Sequence, residues 1–556
     1  MLQKDWVKSY QPGVAADVEV PDESLVDLAE RAVVAAGNLV ATDFFGNTLS
    51  YRKLGERIAR AAQGLHQLGV RRGDRVAIVL PNCPQHIVAY YAVLRLGAVV
   101  VEHNPLYTSR ELRHMFEDHS ARVAICWDKA VTKLQAMPRD IPLNTIISVN
   151  MVNAFSALKR LALKLPIPSL MEMRDKLTAK VRGTVPWEKV VAAPPLDARY
   201  PKPVAQDLAA IQYTSGTTAQ PKGAMLTHRA LYANSVQARQ WLHGIGTGTE
   251  VTYGVLPLFH VFGMTLVTVL GVLTQSRMVL FPNFDVSMVL DAAKRIPPTV
   301  FGAVPPIFQA VATGAQARKI SLRSAKYCIS GAMGLPNATA ELWESLAGGP
   351  LIEGYGMTEA APVIAGNPDY EGRKLGTVGL PFPSTIVKVV DPDNPDIEVP
   401  LGSPGELLVA GPQVFSGYWN NPAETEYALL PDNWLRTGDV VVQDEEGFLT
   451  VVDRVKDLIL TNGFNVSPTE VESVLRGHPD IEDVTVVGLP DESAGETVVA
   501  AVVMHPGARI DETAMRTWAK GRLAAYKVPR SFIEVAELPK SMLGKALRNK
   551  VRSLIS

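Results

Sequence analysis

Residues Tyr213, Thr214, Ser215, Gly216, Thr217, Thr218, Ala219, Gln220, Pro221, Lys222 and Gly223 follow the apolar stretch Leu208 to Ile211 and combine the groups that hold a phosphate chain. Glycines let backbone N–H groups approach an anion, the hydroxyls donate further hydrogen bonds, and Lys222 supplies positive charge. The loop is not of the GxxxxGK[ST] type, because Lys222 precedes the last glycine and that pattern occurs nowhere in the chain. Taken alone, such a stretch also reads as a plain connection. A second segment, Glu353, Gly354, Tyr355, Gly356, Met357, Thr358 and Glu359, sets a flat aromatic, a hydroxyl and carboxylates among permissive glycines. It suits a nucleotide and its metal, since Mg2+ takes hard oxygen ligands and needs only one carboxylate beside phosphate oxygens. A tight turn with incidental polarity is the alternative. Farther on, Asp439 can accept hydrogen bonds from ribose hydroxyls and Arg454 can donate to the same sugar, though each alone is an ordinary turn residue. Lys545, after Gly544 in the run Pro539 to Ala546, is by itself a surface charge.

The elements that must position these groups alternate in type. Leu54, Ile58, Ala61, Leu65 and Leu68 recur at helical spacing, Gly69 closes the turn, and Arg75 to Leu80 reads as a buried strand. The pattern repeats: Ile87 to Leu96 is helical and closed by Gly97, Val99 to Val101 is a strand, Ser109 to Asp118 a helix and Val123 to Cys126 a strand. Such alternation predicts layered α/β architecture with parallel sheets. Val251 to Ser276 is long enough and free enough of charge to span a bilayer. Its internal Pro257, Gly254, Gly263 and Gly271 instead predict a strand, loop and helix buried in protein. Between Met151 and Leu165, Val152, Phe155, Leu158, Ala162 and Leu165 share one helical arc, with Lys159, Arg160 and Lys164 outside it. Two readings stay open for this basic amphipathic helix: packing on the side of the domain, or peripheral contact with a membrane.

With 556 residues the chain can bury several cores, which favours a large body plus a smaller separate domain. A formal net charge of -1 and 20% charged residues give no footprint for nucleic acid. Cys83, Cys126 and Cys328 are widely spaced and lack CxxC or histidine partners, so neither a disulfide framework nor a zinc site is indicated. The first residues show no secretory signal, and a cytoplasmic location is expected. The oligomeric state stays open, a homodimer included.

The chemical segments, in this order and at these separations, resemble the motifs of the adenylate-forming superfamily of acyl-CoA synthetases, luciferases and peptide-synthetase adenylation domains. The likeness runs from Thr48, Leu49, Ser50 and Tyr51 to Lys545. Asn104, Pro105, Leu106, Tyr107 and Thr108, with Gly463, Phe464, Asn465 and Val466, resemble bacterial long-chain fatty acyl-CoA ligases most. This resemblance implies an α/β fold: an N-terminal adenylation domain over residues 1–452, with two α/β subdomains and a distorted β-barrel, and a small mobile α+β domain over 453–556. It implies ATP, Mg2+ and coenzyme A as cofactors and co-substrates. Thr214, Ser215, Gly216, Thr217, Thr218 and Lys222 would be the phosphate loop, with Thr217 and Glu359 next to Mg2+. Tyr355 would stack on adenine within the segment Gly354, Gly356, Met357 and Thr358, and Ser330, Gly331 and Ala332 would form the adenine-side turn. Asp439 and Arg454 would be the ribose contacts, Lys456 the hinge, Gly463 the pantetheine-facing residue and Lys545 the adenylation lysine. His260 would border the carboxylate, in an acyl site along Leu256 to Met264 and against Phe301 to Pro306.

Two departures accompany the likeness. Ala219 stands where the family's loop usually has glycine, which bears on loop mobility. Met264 stands where some long-chain ligases place a gating tryptophan, so chain-length preference does not carry over. The expected activity is ligation of a medium- or long-chain fatty acid to coenzyme A. An aryl-acid ligase would need a shorter pocket with a polar end, and a carrier-loading fatty acyl-AMP ligase would be expected to carry a long insertion between Glu359 and Gly376. A silent acyl-nucleotide binder would not require Lys545 together with Glu359, Asp439 and Arg454.

Overall fold

A computed structural model describes residues 4–214, 221–370, 372–461, 464–491, 495–541, 544 and 546–555. The chain folds into a large N-terminal α/β body followed by a small α+β domain, as expected. The body holds two mainly parallel sheets. One is seven-stranded, in the order Val185–Pro186, Thr145–Val149, Val123–Trp127, Arg75–Val79, Val99–Glu102, Leu208–Tyr213 and Gly223–Thr227, with only the last pair antiparallel. The other is nine-stranded, and its parallel centre runs Leu351–Gly356, Tyr327–Ser330, Val300–Ala303, Val251–Gly254, Arg277–Leu280 and Val40–Phe44. A five-stranded antiparallel sheet follows, built on Ile386–Val390, Gly405–Ala410 and Trp434–Gln443, and its strand Leu449–Arg454 runs out toward the C-terminal sheet.

The helices are where the spacing places them. Ser50 starts the helix Tyr51–Gln67 by accepting the Lys53 N–H, and Leu54, Ile58, Ala61 and Leu65 are buried along one face. Positive φ at Gly69 (96°) and Gly97 (66°) turns the chain out of this helix and the next. That next helix, Pro84–Arg95, is buried at every residue, because the helices Leu25–Ala35 and Tyr51–Gln67 pack on it together with strands of both sheets of the body. Several of its polar groups are paired inward: His86 meets Glu102 at 3.0 Å, and the Tyr91 hydroxyl donates to the Thr268 carbonyl at 2.9 Å, whereas the Tyr90 hydroxyl and Gln85 Oε1 are buried without a partner among the described residues. Asn82 pins the sheets to each other, donating to the carbonyls of Gly254 (2.9 Å) and Leu256 (2.7 Å) while accepting the Leu258 N–H.

The apolar stretch 251–276 forms a central strand, a loop and a helical run, and Met264–Leu270 of that run is a π-helical segment with all its residues buried. Among the described residues no helix is long and apolar enough to cross a membrane. The basic helix is the main correction to the sequence reading. Instead of one helix from Met151 to Leu165 there is a 3-10 turn, Met151–Ala154, a break at Phe155, and a short helix Ala157–Ala162. Ser156 causes the break, since its hydroxyl accepts the Lys159 N–H and starts a new helix. The expected arc is split accordingly: Phe155 is buried, stacked on Phe45, whereas Leu158 is 79% exposed.

Candidate active site

In parallel sheets the binding groups gather beyond the carboxyl ends of strands. Such ends converge here on one cavity of about 1380 Å³: Thr214 after Leu208–Tyr213, Gly331 and Ala332 after Tyr327–Ser330, and Gly354 to Glu359 at the end of Leu351–Gly356. The antiparallel sheet contributes Thr437, Gly438 and Arg454, and the C-terminal region Lys456, Lys540, Ser541 and Ala546 to Lys550.

The cavity's charged groups form linked pairs. The Thr214 N–H donates to the Lys222 carbonyl at 2.9 Å, tying the two ends of the hydroxyl-rich loop together. Lys222 is ion-paired with Glu424, and its ammonium lies 5.3 Å from the ring centre of Tyr418. The Tyr418 hydroxyl in turn donates to Glu359 Oε1 at 2.6 Å. Burial lifts the Glu359 carboxyl above the usual carboxylate range, and the Tyr418 hydrogen bond opposes that shift. On the other wall the antiparallel register sets Asp439 opposite Arg454, whose Nε donates to Asp439 Oδ1 at 3.0 Å, and the Tyr355 hydroxyl donates to Asp439 Oδ2 at 2.6 Å. Ala332 takes φ 69°, a left-handed conformation costly for a residue with Cβ, which turns the chain sharply beside Tyr355. Gly544 also has positive φ (79°), and a Cβ there would lie 3.2 Å from Met333 Sδ, so this glycine rests beside that same turn.

Buried carboxylates and aromatic tips describe one half of the cavity, and apolar side chains the other. Asn234, Ala238, Trp241 and Leu242, at helical spacing on His228–Trp241 and its cap, face Thr265, Leu266 and Leu270 of the π-helical segment. A π-helical segment is rare and tends to mark a functional site. His260 stands between the two halves. Its Nδ1 accepts the Phe262 N–H at 3.3 Å, which places the ring proton on Nε2, and burial pushes its pKa down to about 4, so the ring is neutral near pH 7.

Residues 29–419 match the AMP-binding enzyme family, and residues 470–545 match the AMP-binding enzyme C-terminal domain. The chain belongs to the AMP-binding enzyme family. It is 35% identical to the long-chain-fatty-acid–CoA ligase of Bacillus subtilis (strain 168) across 99% of this chain and 98% of that protein. It is 37% identical to the enzyme of that name from Salmonella typhimurium (strain LT2), with the same coverage. The crystal structure of ATP-bound MatB from Rhodopseudomonas palustris superposes with a TM-score of 0.81 at 29% identity, covering 95% of this chain and 98% of that one.

In this AMP-binding enzyme the cavity collects Thr214, Lys222, His260, Gly331, Ala332, Gly354, Tyr355, Gly356, Met357, Thr358, Glu359, Arg454 and Lys456 from the residues singled out in the sequence. Ser330 and Asp439 lie just beneath its wall, at 0% and 5% exposure, and Asp439 reaches the cavity through Tyr355 and Arg454. Ser215, Gly216, Thr217, Thr218, Ala219, Gly463 and Lys545 lie outside the described residues. The acyl wall needs correcting. Phe301 and Ala303 point to the opposite face of their strand, into a separate core with Phe308 and Trp343. Gly302 faces the acyl side but leaves only backbone there, and a Cβ would sit 2.2 Å from Leu266 Cδ2. Met264 is fully buried and does not line the cavity.

The sequence reading gave no role to Tyr418, Glu424 or Trp241, and it took Glu353 only as one carboxylate of the nucleotide-suited segment Glu353 to Glu359. Glu353 is 8% exposed, accepts the Leu335 N–H, and is lifted by burial to about 7. A carboxyl held above its unfolded value binds its proton more tightly when folded, so its stabilising share is complete below about pH 4.5 and lost as pH rises through about 7. Glu353→Gln removes the ionisation, so without nucleotide its apparent Tm relative to the parent is expected to climb between these pH values, toward roughly 3 kcal/mol of relief. Differential scanning fluorimetry across that window tests this; a difference independent of pH would contradict it.

Proposed function

We propose that this AMP-binding enzyme is an ATP-dependent fatty acid:CoA ligase, and one observation carries the reading: a single cavity joins a nucleotide-suited group of charges to an apolar recess. ATP would lie with its adenine between Tyr355 and the Gly331–Ala332 turn and its ribose toward Asp439 and Arg454. Glu353, on the same strand face as Tyr355, would meet the adenine edge. Ser215, Gly216, Thr217 and Thr218 with Lys222 would hold the phosphates, Lys222 exchanging Glu424 for an anion of higher charge. The buried Glu359 carboxylate, lining the cavity, suits Mg2+ as a hard oxygen ligand, with Thr217 beside it. When bound, Mg2+ neutralises charge building on the phosphate oxygens.

The fatty carboxylate attacks the α-phosphorus in line, forming a carboxyl O–P bond as the bond to pyrophosphate breaks. Such a transfer is a matter of positioning and charge, and no general base is required. Neutral His260 would donate from Nε2 to a carboxylate oxygen and fix its approach. Lys545 would neutralise the leaving pyrophosphate, and the cavity-lining Lys540, Ser541 and Ala546 on either side of it in the chain support that role. In the second half-reaction the thiol sulfur of coenzyme A forms the thioester bond, AMP leaves with the electron pair of its C–O bond, and the thiol proton passes to solvent. Lys456 lies in the short turn Val455–Asp457, between the strand ending at Arg454 and the one starting at Ile459. A pivot there would exchange Lys545 for a pantetheine channel lined by Gly463. Incubation with ATP, Mg2+, coenzyme A and acids from acetate to oleate, with coumarate included, tests the reading by mass spectrometry. Acyl-CoA from alkyl acids supports it, acyl-AMP without thioester favours carrier loading, and coumaroyl-CoA alone favours an aryl ligase.

The cytoplasmic enzyme we propose also touches membranes peripherally. Leu158 and Leu161, 79% and 62% exposed, stand among Lys159, Arg160 and Lys164, a pattern that suits an anionic lipid surface. The protein is expected to sediment with phosphatidylglycerol vesicles and not with phosphatidylcholine vesicles, and the pair Leu158→Asp and Leu161→Asp to lower that binding several-fold. Equal sedimentation of parent and variant would contradict the contact.

A further inference from the structure

The apolar half of the cavity has a floor. Trp241 and Phe382 both line it, with ring centroids 5.0 Å apart and planes inclined by 28°, and both are nearly inaccessible, at 0% and 6% exposure. The pair is braced from behind by the N-terminal segment. Tyr10 packs edge-on against Trp241, with centroids 5.1 Å apart, and its hydroxyl donates to the Pro381 carbonyl at 2.5 Å. Gln11 donates to the Trp241 carbonyl and accepts the Asp369 N–H at 2.8 Å. The indole N–H donates to the Asn367 carbonyl at 3.0 Å, which spends the only polar atom of that side chain away from the cavity and fixes the ring's orientation. Gly366 adds to the closure: a Cβ there would lie 2.9 Å from Phe382 Cε1 and 3.3 Å from the indole nitrogen, so the rings press directly on that strand's backbone.

We infer that the stacked Trp241–Phe382 pair closes the acyl recess and sets an upper limit on substrate chain length, so that this enzyme prefers medium-chain acids; the inference rests on the ligase reading. The wall available to an acyl chain can be gauged from the helix that forms it. Asn234 to Leu242 present one face over about 12 Å at the α-helical rise. An extended chain of roughly ten carbons covers that length, given zigzag C–C bonds of about 1.5 Å. A longer chain would meet two braced rings in a packed interior, where added methylenes force off-rotamer side chains. Ala238 sits one helical turn before Trp241, lines the same recess and is only half-buried, so it marks the point where a larger side chain would shorten it.

The test is the kcat/KM profile over octanoate, decanoate, dodecanoate, palmitate and oleate for the parent, Trp241→Ala and Ala238→Leu. The parent is expected to peak at decanoate or dodecanoate. Trp241→Ala should raise the palmitate-to-decanoate ratio by roughly tenfold or more, and Ala238→Leu should move the optimum toward octanoate. Because Ala238→Leu adds bulk to a cavity and removes nothing from the core, it serves even if Trp241→Ala does not fold. Acyl-CoA formed with a peak at palmitate in the parent, or with a profile that neither variant moves, overturns the floor while leaving the ligase reading intact. No acyl-CoA from any acid overturns the ligase reading and the inference with it.

Discussion

Lys545→Ala is expected to slow formation of acyl-adenylate by roughly 10²–10³-fold, the usual loss when one group stabilising developing charge is removed. The same variant should retain most of its rate when acyl-adenylate and coenzyme A are supplied directly, because the lysine is proposed to leave the site before the thiol arrives. Burst kinetics of the two half-reactions, measured separately, check this. Equal losses in both would mean that Lys545 supports the whole site and not the adenylation state, and the proposed pivot near Lys456 would lose its purpose.

Glu359→Gln is the second large effect expected, again roughly 10²-fold in adenylation, and here the readout that matters is the metal. Glu359 is buried, lifted above the usual carboxylate range, and its carboxylate accepts hydrogen bonds from the Tyr418 hydroxyl and from its own backbone N–H. A carboxylate kept in such a place favours a cation that restores its charged form. The glutamine keeps the shape and the Tyr418 contact but offers a weaker ligand, so the Mg2+ concentration for half-maximal rate should rise together with the loss in rate. A fall in rate with unchanged Mg2+ dependence would assign Glu359 to positioning instead.

The alternating elements of the body were legible because helix and strand periods differ and because Gly69 and Gly97 mark helix ends by conformation. The segment Gly354 to Glu359 was legible because its residue types carry chemistry. Other parts were not. Trp241 and Leu242 repeat with Asn234 and Ala238 at a spacing that a helix buried in any core would show, so the acyl wall was indistinguishable from packing until the π-helical segment stood opposite it. Phe301 misled for a related reason, since an apolar strand residue reveals which face it occupies only when both layers are seen. Tyr418 and Glu424 carry no local signal at all and reach Glu359 and Lys222 across the fold. The basic stretch after Met151 was misread because a periodic arc cannot reveal that Ser156 restarts the helix.

In the proposed reaction the acid is activated by its own oxygen attacking the α-phosphorus of ATP. Decanoate labelled with oxygen-18 in its carboxyl group, turned over with ATP and coenzyme A, follows that oxygen into its product. One labelled oxygen is expected in AMP for each decanoyl-CoA formed, with none in pyrophosphate; unlabelled AMP, or label appearing in inorganic phosphate beside ADP, would rule out attack at the α-phosphorus.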